Sequence, residues 1–184
     1  MKPPASDETR PIPILNLMAA IIVLAILALV FMPVRSSQGI GSPTARSISN
    51  LRQIAVAAQL YSFDSSDRLP SASTWMDSLQ PYVKSGTLSI LVDPTLKNPS
   101  PNEYGYAYSA QAGDVLLEAI ANPEQALLAF PSSDLRRNAF GGLELLPKSP
   151  RADGKYPIAH IDTSAKRYEP DEIKATDFTL LFKP

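Results

Sequence analysis

Between Leu17 and Met32 every residue is apolar, and residues 11–34 carry no charge; Arg10 and Arg35 bracket the block. A helix rising about 1.5 Å per residue needs roughly 20 such residues to cross the hydrocarbon of a bilayer. A buried helix of a soluble domain would show a polar face, and this run has none. The pattern predicts a single transmembrane helix over residues 12–34, preceded by a short tail of residues 1–11. The block is longer than a secretory h-region, and Met32-Pro33-Val34-Arg35 offers no small-residue cleavage site, so the span is expected to stay in place as an anchor. Lys2 and Arg10 lie before it, Arg35 and Arg46 after it. With the charges nearly balanced, the short N-terminal side is assigned to the cytoplasm. Membrane lipid is then the partner of residues 12–34, and the domain C-terminal to the span is expected outside the cytoplasm.

Beyond the span the pattern changes. Residues 35–43 hold Ser36, Ser37, Gly39, Gly41, Ser42 and Pro43, poor helix formers that predict a linker interrupting the helix. Ser42 is placed to cap a new helix with Pro43 at its first position, where the missing N–H is harmless. Ile48, Leu51, Ile54, Ala55, Ala58 and Tyr61 then recur at steps of three and four, with Asn50, Arg52, Gln53 and Gln59 largely elsewhere; this is one apolar helix face. Asp64-Ser65-Ser66-Asp67, with Pro70 beyond, sets the helix end near Phe63. A second, short helix is predicted over Trp75–Tyr82, capped by Ser73 or Thr74, with Trp75, Leu79 and Tyr82 on one face. Trp75 and Leu51 are expected in the core.

Shorter apolar stretches come next, at Leu88–Val92, Tyr104–Tyr108, Leu127–Phe130, Leu143–Leu146, Pro157–Ile161 and Lys166–Tyr168. Their lengths and their bounding Pro, Gly, Asn and Asp residues suit antiparallel strands. Asp114–Ala121 is read as a short helix between them, and Asp162-Thr163-Ser164 as a hairpin turn. The fold class expected for residues 44–184 is α+β, with one long helix packed on a small antiparallel sheet. The 18 prolines predict a loop-rich domain with short elements.

Composition narrows the chemistry. Of 17 Lys/Arg and 18 Asp/Glu, 14 and 16 lie beyond Thr44, and no basic stripe is visible; nucleic acid is not an expected partner. The chain has no cysteine and a single histidine, His160, which argues against zinc. Asp162 lies two residues from His160 on the same strand face, and the reading preferred is a strand histidine tucked beside its neighbour. Asp64, Asp67, Asp153, Asp162, Glu169, Asp171 and Glu172 are the carboxylates considered for calcium; they lack the D-x-D-x-D-G spacing, and turn carboxylates usually serve backbone caps. Tyr104, Tyr106 and Tyr108 put three rings on one side of a strand, read as a sheet face beneath the long helix. Arg136-Arg137 is read as a solvated turn, and Gly141-Gly142 as a turn signal. No cofactor, metal site or nucleophile–base constellation is assigned, so the chain is not expected to be an enzyme.

The order Arg10-Pro-Ile-Pro-Ile-Leu-Asn-Leu-Met-Ala-Ala-Ile-Ile-Val-Leu-Ala-Ile-Leu27 resembles the start of a type IV prepilin or type II secretion pseudopilin. Asn50-Leu51-Arg52-Gln53-Ile54, Tyr61, Asp64 and Arg68-Leu69-Pro70 are similar to the pattern after the span in planctomycete-type prepilin-like proteins. Trp75, Leu79, Pro81-Tyr82-Val83, Tyr104-Gly105-Tyr106, Asn122-Pro123, Gly141-Gly142 and Ile161-Asp162-Thr163-Ser164-Ala165-Lys166 resemble later blocks of that family. The resemblance implies a pilin-like extracytoplasmic domain and a structural role in type II secretion or type IV pilus assembly, with other pilin-like subunits or secretion components as partners. It also assigns a degenerate processing motif, Arg10, Pro11, Ile12 and Asn16. Pro11 stands where the family has the Gly after which the peptidase cuts, and Asn16 where it has Glu. An uncleaved N-terminus is therefore expected, and the alternative reading is a membrane-anchored binding module that reuses the same fold.

Overall fold

The computed structural model describes residues 42–83 and 88–183, within a compact unit spanning Gly41–Pro184. The tail, the predicted span over 12–34, most of the linker and the processing motif of Arg10, Pro11, Ile12 and Asn16 lie outside the described residues. Among the described residues no helix is long and apolar enough to cross a membrane.

Helix α1 runs Pro43–Asp64. Ser42 is its N-cap, accepting from the Ala45 N–H at 3.3 Å, and Pro43 opens the first turn. Thr44, Ser47, Leu51, Ile54, Ala55, Ala58 and Ser62 are buried and keep the three–four spacing of one helix face. The helix stops where the Ser65 and Asp67 N–H groups turn back onto the Ser62 carbonyl (3.0 and 2.9 Å). Ser66 and Asp67 there adopt left-handed conformations, φ 54° and 58°. Helix α2, Trp75–Leu79, continues as a 3-10 turn over Gln80–Tyr82.

Five strands complete the sheet: β1 Tyr106–Ser109, β2 Leu127–Pro131, β3 Phe140–Gly141, β4 Tyr156–His160 and β5 Ala165–Tyr168, in the order β3-β1-β2-β4-β5. A last helix, α3, spans Pro170–Ala175. The class is mixed α+β, as expected, but the sheet is not wholly antiparallel: β3 runs parallel to β1. Three elements differ from the sequence reading. Leu88–Leu91 is a 3-10 turn and not a strand, because Asn50 of α1 binds the carbonyls of Ser89 and Val92 and Ile90 and Leu91 plug into the core. Leu143–Leu145 is also a 3-10 turn, wound up by Glu144, whose Oε1 accepts from the Gly142 N–H at 2.7 Å. The stretch 114–121 carries only a 3-10 turn, Leu117–Ala119. Pairing with the 67–69 segment holds the residues before it extended: Leu69 N–H donates to Val115 O and Leu117 N–H to Asp67 O.

Side chains on the two faces of the sheet enter two separate cores. Tyr106, Tyr108, Leu128 and Ala159 face α1 and pack with Leu51, Ile54, Ala58, Trp75 and Leu79. Ala107, Leu127, Phe130, Tyr156 and Ile158 face the other way, beneath Phe178, Leu145 and Ile173. Along β2 the alternation slips, Leu128 and Ala129 both lying on the α1 side, where the β2–β4 register shifts; a bulge adds one residue and so changes which face each side chain meets.

Candidate interaction face

The outer surface of α1 carries three exposed apolar side chains: Val56 (46%), Leu60 (44%) and Phe63 (72%). They stand at i, i+4 and i+7, one stripe on the side away from Leu51, Ile54 and Ala58. The outward face of a helix on a globular domain is ordinarily polar, and a contiguous apolar stripe marks a contact surface. Beside it opens a groove of about 270 Å³ lined by Arg52, Gln53, Val56, Tyr82, Val83 and Ile90. Its far wall is fixed: the Tyr82 hydroxyl donates to Asp64 Oδ2 at 2.9 Å, and the Tyr61 and Tyr82 rings meet edge to face at 5.8 Å. That bond to the Asp64 carboxylate raises the Tyr82 phenol above its ordinary pKa. The stripe was present in the sequence as a second three–four series, Gln53-Val56-Leu60-Phe63, overshadowed by the longer apolar series that faces the core.

His160 is fully buried, and its partner is not Asp162. Nδ1 faces the Gln125 carbonyl at 3.2 Å and Nε2 the Tyr168 hydroxyl at 2.9 Å, while Phe178 stacks on the ring with centroids 6.1 Å apart. Both ring nitrogens are engaged with neutral groups, and burial holds the imidazole below its ordinary pKa. Asp162 is exposed and caps the turn through the Ser164 N–H. The imidazole thereby ties the Gln125 backbone, β5 and the Phe178 segment to β4.

Of the tyrosine row, Tyr106 reaches the long helix, Tyr108 lies against Trp75 of α2, and Tyr104 stands before β1 beside Arg137. Tyr106 donates to or accepts from Ser47 Oγ at 2.8 Å, Tyr108 stacks on Trp75 at 5.6 Å, and both are fully buried; Tyr104 is half-buried. Burial raises both inner phenols well above their ordinary pKa. Trp75 Nε1 donates to the Ala139 carbonyl at 3.0 Å.

The carboxylates are spread and locally used. Glu169 and Glu172 form the capping box of α3, and Asp171 pairs with Lys174. Among the described residues no group of three or more His, Cys, Asp or Glu side chains is arranged to hold a metal. Arg136 pairs with Asp134, as a solvated turn would. Arg137 does more: it grips Asp77 at 2.6 Å, donates to the Tyr104 hydroxyl at 3.0 Å and lies over the Tyr104 ring. Asn138 completes this cluster, its Nδ2 on Asp77 and its Oδ1 accepting from the Met76 N–H at 2.7 Å. The bond from Asn138, then that from Arg137, holds the Asp77 carboxyl below its usual range. Gly141 and Gly142 line a groove of about 440 Å³ with Gln111, Glu144, Asp177 and Thr179.

One buried pair had no sequence signal. Asp93 is fully buried, and Arg151 reaches it at 2.8 Å while also donating to the carbonyls of Gly105 and Ser132. The two residues are 58 positions apart, in loops with no periodicity to align them. Comparison with protein-family models, with curated proteins and with solved structures finds no match to this chain.

Proposed function

We propose that this protein is a membrane-anchored, pilin-like structural subunit whose outer α1 face packs against other subunits of a type II secretion or type IV pilus type of assembly. The observation that carries the reading is the exposed stripe of Val56, Leu60 and Phe63 on the longest helix among the described residues. That helix begins shortly after the span predicted over residues 12–34, and its inner face is already committed to the sheet. A long helix with one face on a sheet and an exposed apolar stripe on the C-terminal half of the other suits side-by-side association. The resemblance of the sequence to prepilin-like proteins supports the same reading.

The second reading is a binding module that has left the assembly, with its N-terminus intact. Pro11 and Asn16 favour it, and the groove lined by Gln111, Gly142, Glu144 and Thr179 offers a place for a partner. Because the chain has no cysteine, a single introduced thiol separates the two. In membranes, Leu60→Cys carrying a photoactivated crosslinker is expected to give adducts with a second subunit, and Lys155→Cys carrying the same crosslinker, away from the stripe, is not. Leu60→Cys remaining monomeric at every expression level would overturn the assembly reading. Intact mass of the membrane-extracted chain adds the processing state: retention of Met1–Arg10 is expected, and a chain beginning at Ile12 would refute the inferred block at Pro11.

A further inference from the structure

The outer face of α1 carries a knob, a hole and two opposite charges. Phe63 is the knob: at 72% exposed it is the most open large apolar side chain among the described residues. The hole is the groove of about 270 Å³ between Gln53, Val56, Tyr82 and Ile90. It lies about 15 Å back along the helix from Phe63, out of reach of that ring in its own chain. The charges run against the helix. From Pro43 to Asp64 the charged residues are Arg46, Arg52 and Asp64, so the first turn holds no acid and the last turn no base. The helix macrodipole favours the reverse placement. Arg52 and Asp64 are both exposed, and neither enters an ion pair among the described residues. They lean to opposite flanks of the stripe. Arg52 donates to the Ala165 carbonyl at 3.4 Å, beside β5, while Asp64 accepts from Tyr82.

We propose that a second copy of this chain packs antiparallel on the outer face of α1, about a two-fold axis at the level of Ala58. Phe63 of each copy then enters the groove of the other, and Arg52 of each meets Asp64 of the other. This rests on the reading of that face as a subunit contact and adds the direction and register of the contact. Three pairs fix the register: Arg52 with Asp64, Gln53 with Phe63, and Val56 with Leu60 all centre on position 58, so one antiparallel placement satisfies all three. Laying two such faces together also brings the Arg52 flank of one copy against the Asp64 flank of the other. A two-fold contact uses the same patch twice, so both grooves are filled and both Phe63 rings are covered at once. A parallel stagger that seats Phe63 fills one groove per contact. It also asks two neighbours to share one face of a 22-residue helix, about 33 Å long. An in-register parallel pair sets Arg52 against Arg52 and Asp64 against Asp64. Exposed charge pairs contribute little energy, but like charges placed together reject that arrangement and so set the direction.

The chain has no cysteine, so thiols introduced into the full chain in membranes report the arrangement. Arg52→Cys and Asp64→Cys, both at exposed positions that leave Phe63 and the groove intact, are made singly and together and mildly oxidised. The double variant is expected to give a covalent pair and nothing larger, because both disulfides close within one pair. Each single variant is expected to stay unlinked, since same-residue thiols lie about 18 Å apart along the two helices. A ladder of trimers and larger species from the double variant would overturn the proposal in favour of a parallel stagger. Linked pairs from either single variant would overturn it in favour of an in-register parallel contact. Both of those results leave the subunit-contact reading standing. No disulfide in any variant would also overturn the two-fold pair, and the crosslinker at Leu60→Cys then separates the two levels. Adducts there keep the subunit contact, and their absence removes it as well.

Discussion

The two faces of the sheet are covered by different means. One lies beneath the 22-residue helix α1, whose buried residues recur every three or four positions, with α2 and the Leu88–Leu91 turn beside it. The other lies beneath short pieces from distant parts of the chain: the 3-10 turn at Leu143–Leu145, helix α3 and an extended strap over residues 177–181 that carries Phe178. The strap is fastened by amides. Asn122 Nδ2 donates to Thr179 O and Asn122 Oδ1 accepts from Leu181 N–H, both at 2.9 Å, and Gln111 Oε1 accepts from Leu180 N–H at 3.1 Å. Periodic burial gives the first face its cover, while the second depends on a strap held by these side-chain bonds and by backbone pairing of Leu181 and Lys183 with Ala121 and Ala119. Local stability should differ accordingly.

Trp75 is the strongest test of the helix-covered face. It is fully buried, stacked on Tyr108 and bonded to Ala139. Trp75→Ala is expected to cost about 3–5 kcal/mol. Phe178→Ala, under the strap, should cost less, about 2 kcal/mol, because the strap can close over the gap. Equal losses in denaturant unfolding of the full chain would erase the distinction between the faces.

Asn122→Ala removes two bonds from the strap at once. The expected loss is about 1–3 kcal/mol, felt locally. Hydrogen exchange should speed up over residues 178–183 and leave α1 unchanged. Faster exchange in α1 as well would mean that the two covers open together.

His160 sharpens the comparison through pH. It lies on the strap side, with Tyr168 and Phe178 against it, Lys166 lowering and Asp162 raising its proton affinity, and Glu172 beside Tyr168. Its folded pKa is depressed below the ordinary 6.5, so the unfolded chain binds the proton first. The stability tied to the neutral ring is whole above about pH 6.5 and is lost as pH falls through the folded value. Melting temperature should drop between about pH 7 and pH 5, and His160→Gln should flatten that drop. An unchanged slope in His160→Gln would assign the effect to carboxylates instead.

The smallest effect on stability is expected at the outer stripe. Val56→Ser, Leu60→Ser and Phe63→Ser should each change stability by within about 0.5 kcal/mol, while the triple variant should lose the Leu60-centred association of copies in membranes. A large loss of stability in any one would mean that the stripe serves the fold and not a partner.

Sequence periodicity by itself determined α1: its face, its Ser42 cap and its stop after Phe63 all come from local chemistry. It also marked β2, β4, β5 and the turn between the last two, and it placed Trp75 and Leu51 in the core. The tertiary structure alone decided the rest. Leu88–Leu91 and Leu143–Leu145 have strand-like composition, yet Asn50 and Glu144 wind them into turns. The two-residue strand β3 is too short to leave a pattern, and its parallel pairing with β1 depends on where the chain returns. His160 takes Tyr168 and Phe178 as neighbours in place of Asp162, because the strap folds back over β4. Asp93 and Arg151 meet across 58 residues, and no spacing rule links loops so far apart. Local preferences act over a few residues and survive in sequence; loop closure and the satisfaction of buried polar groups are settled only when the whole chain is packed.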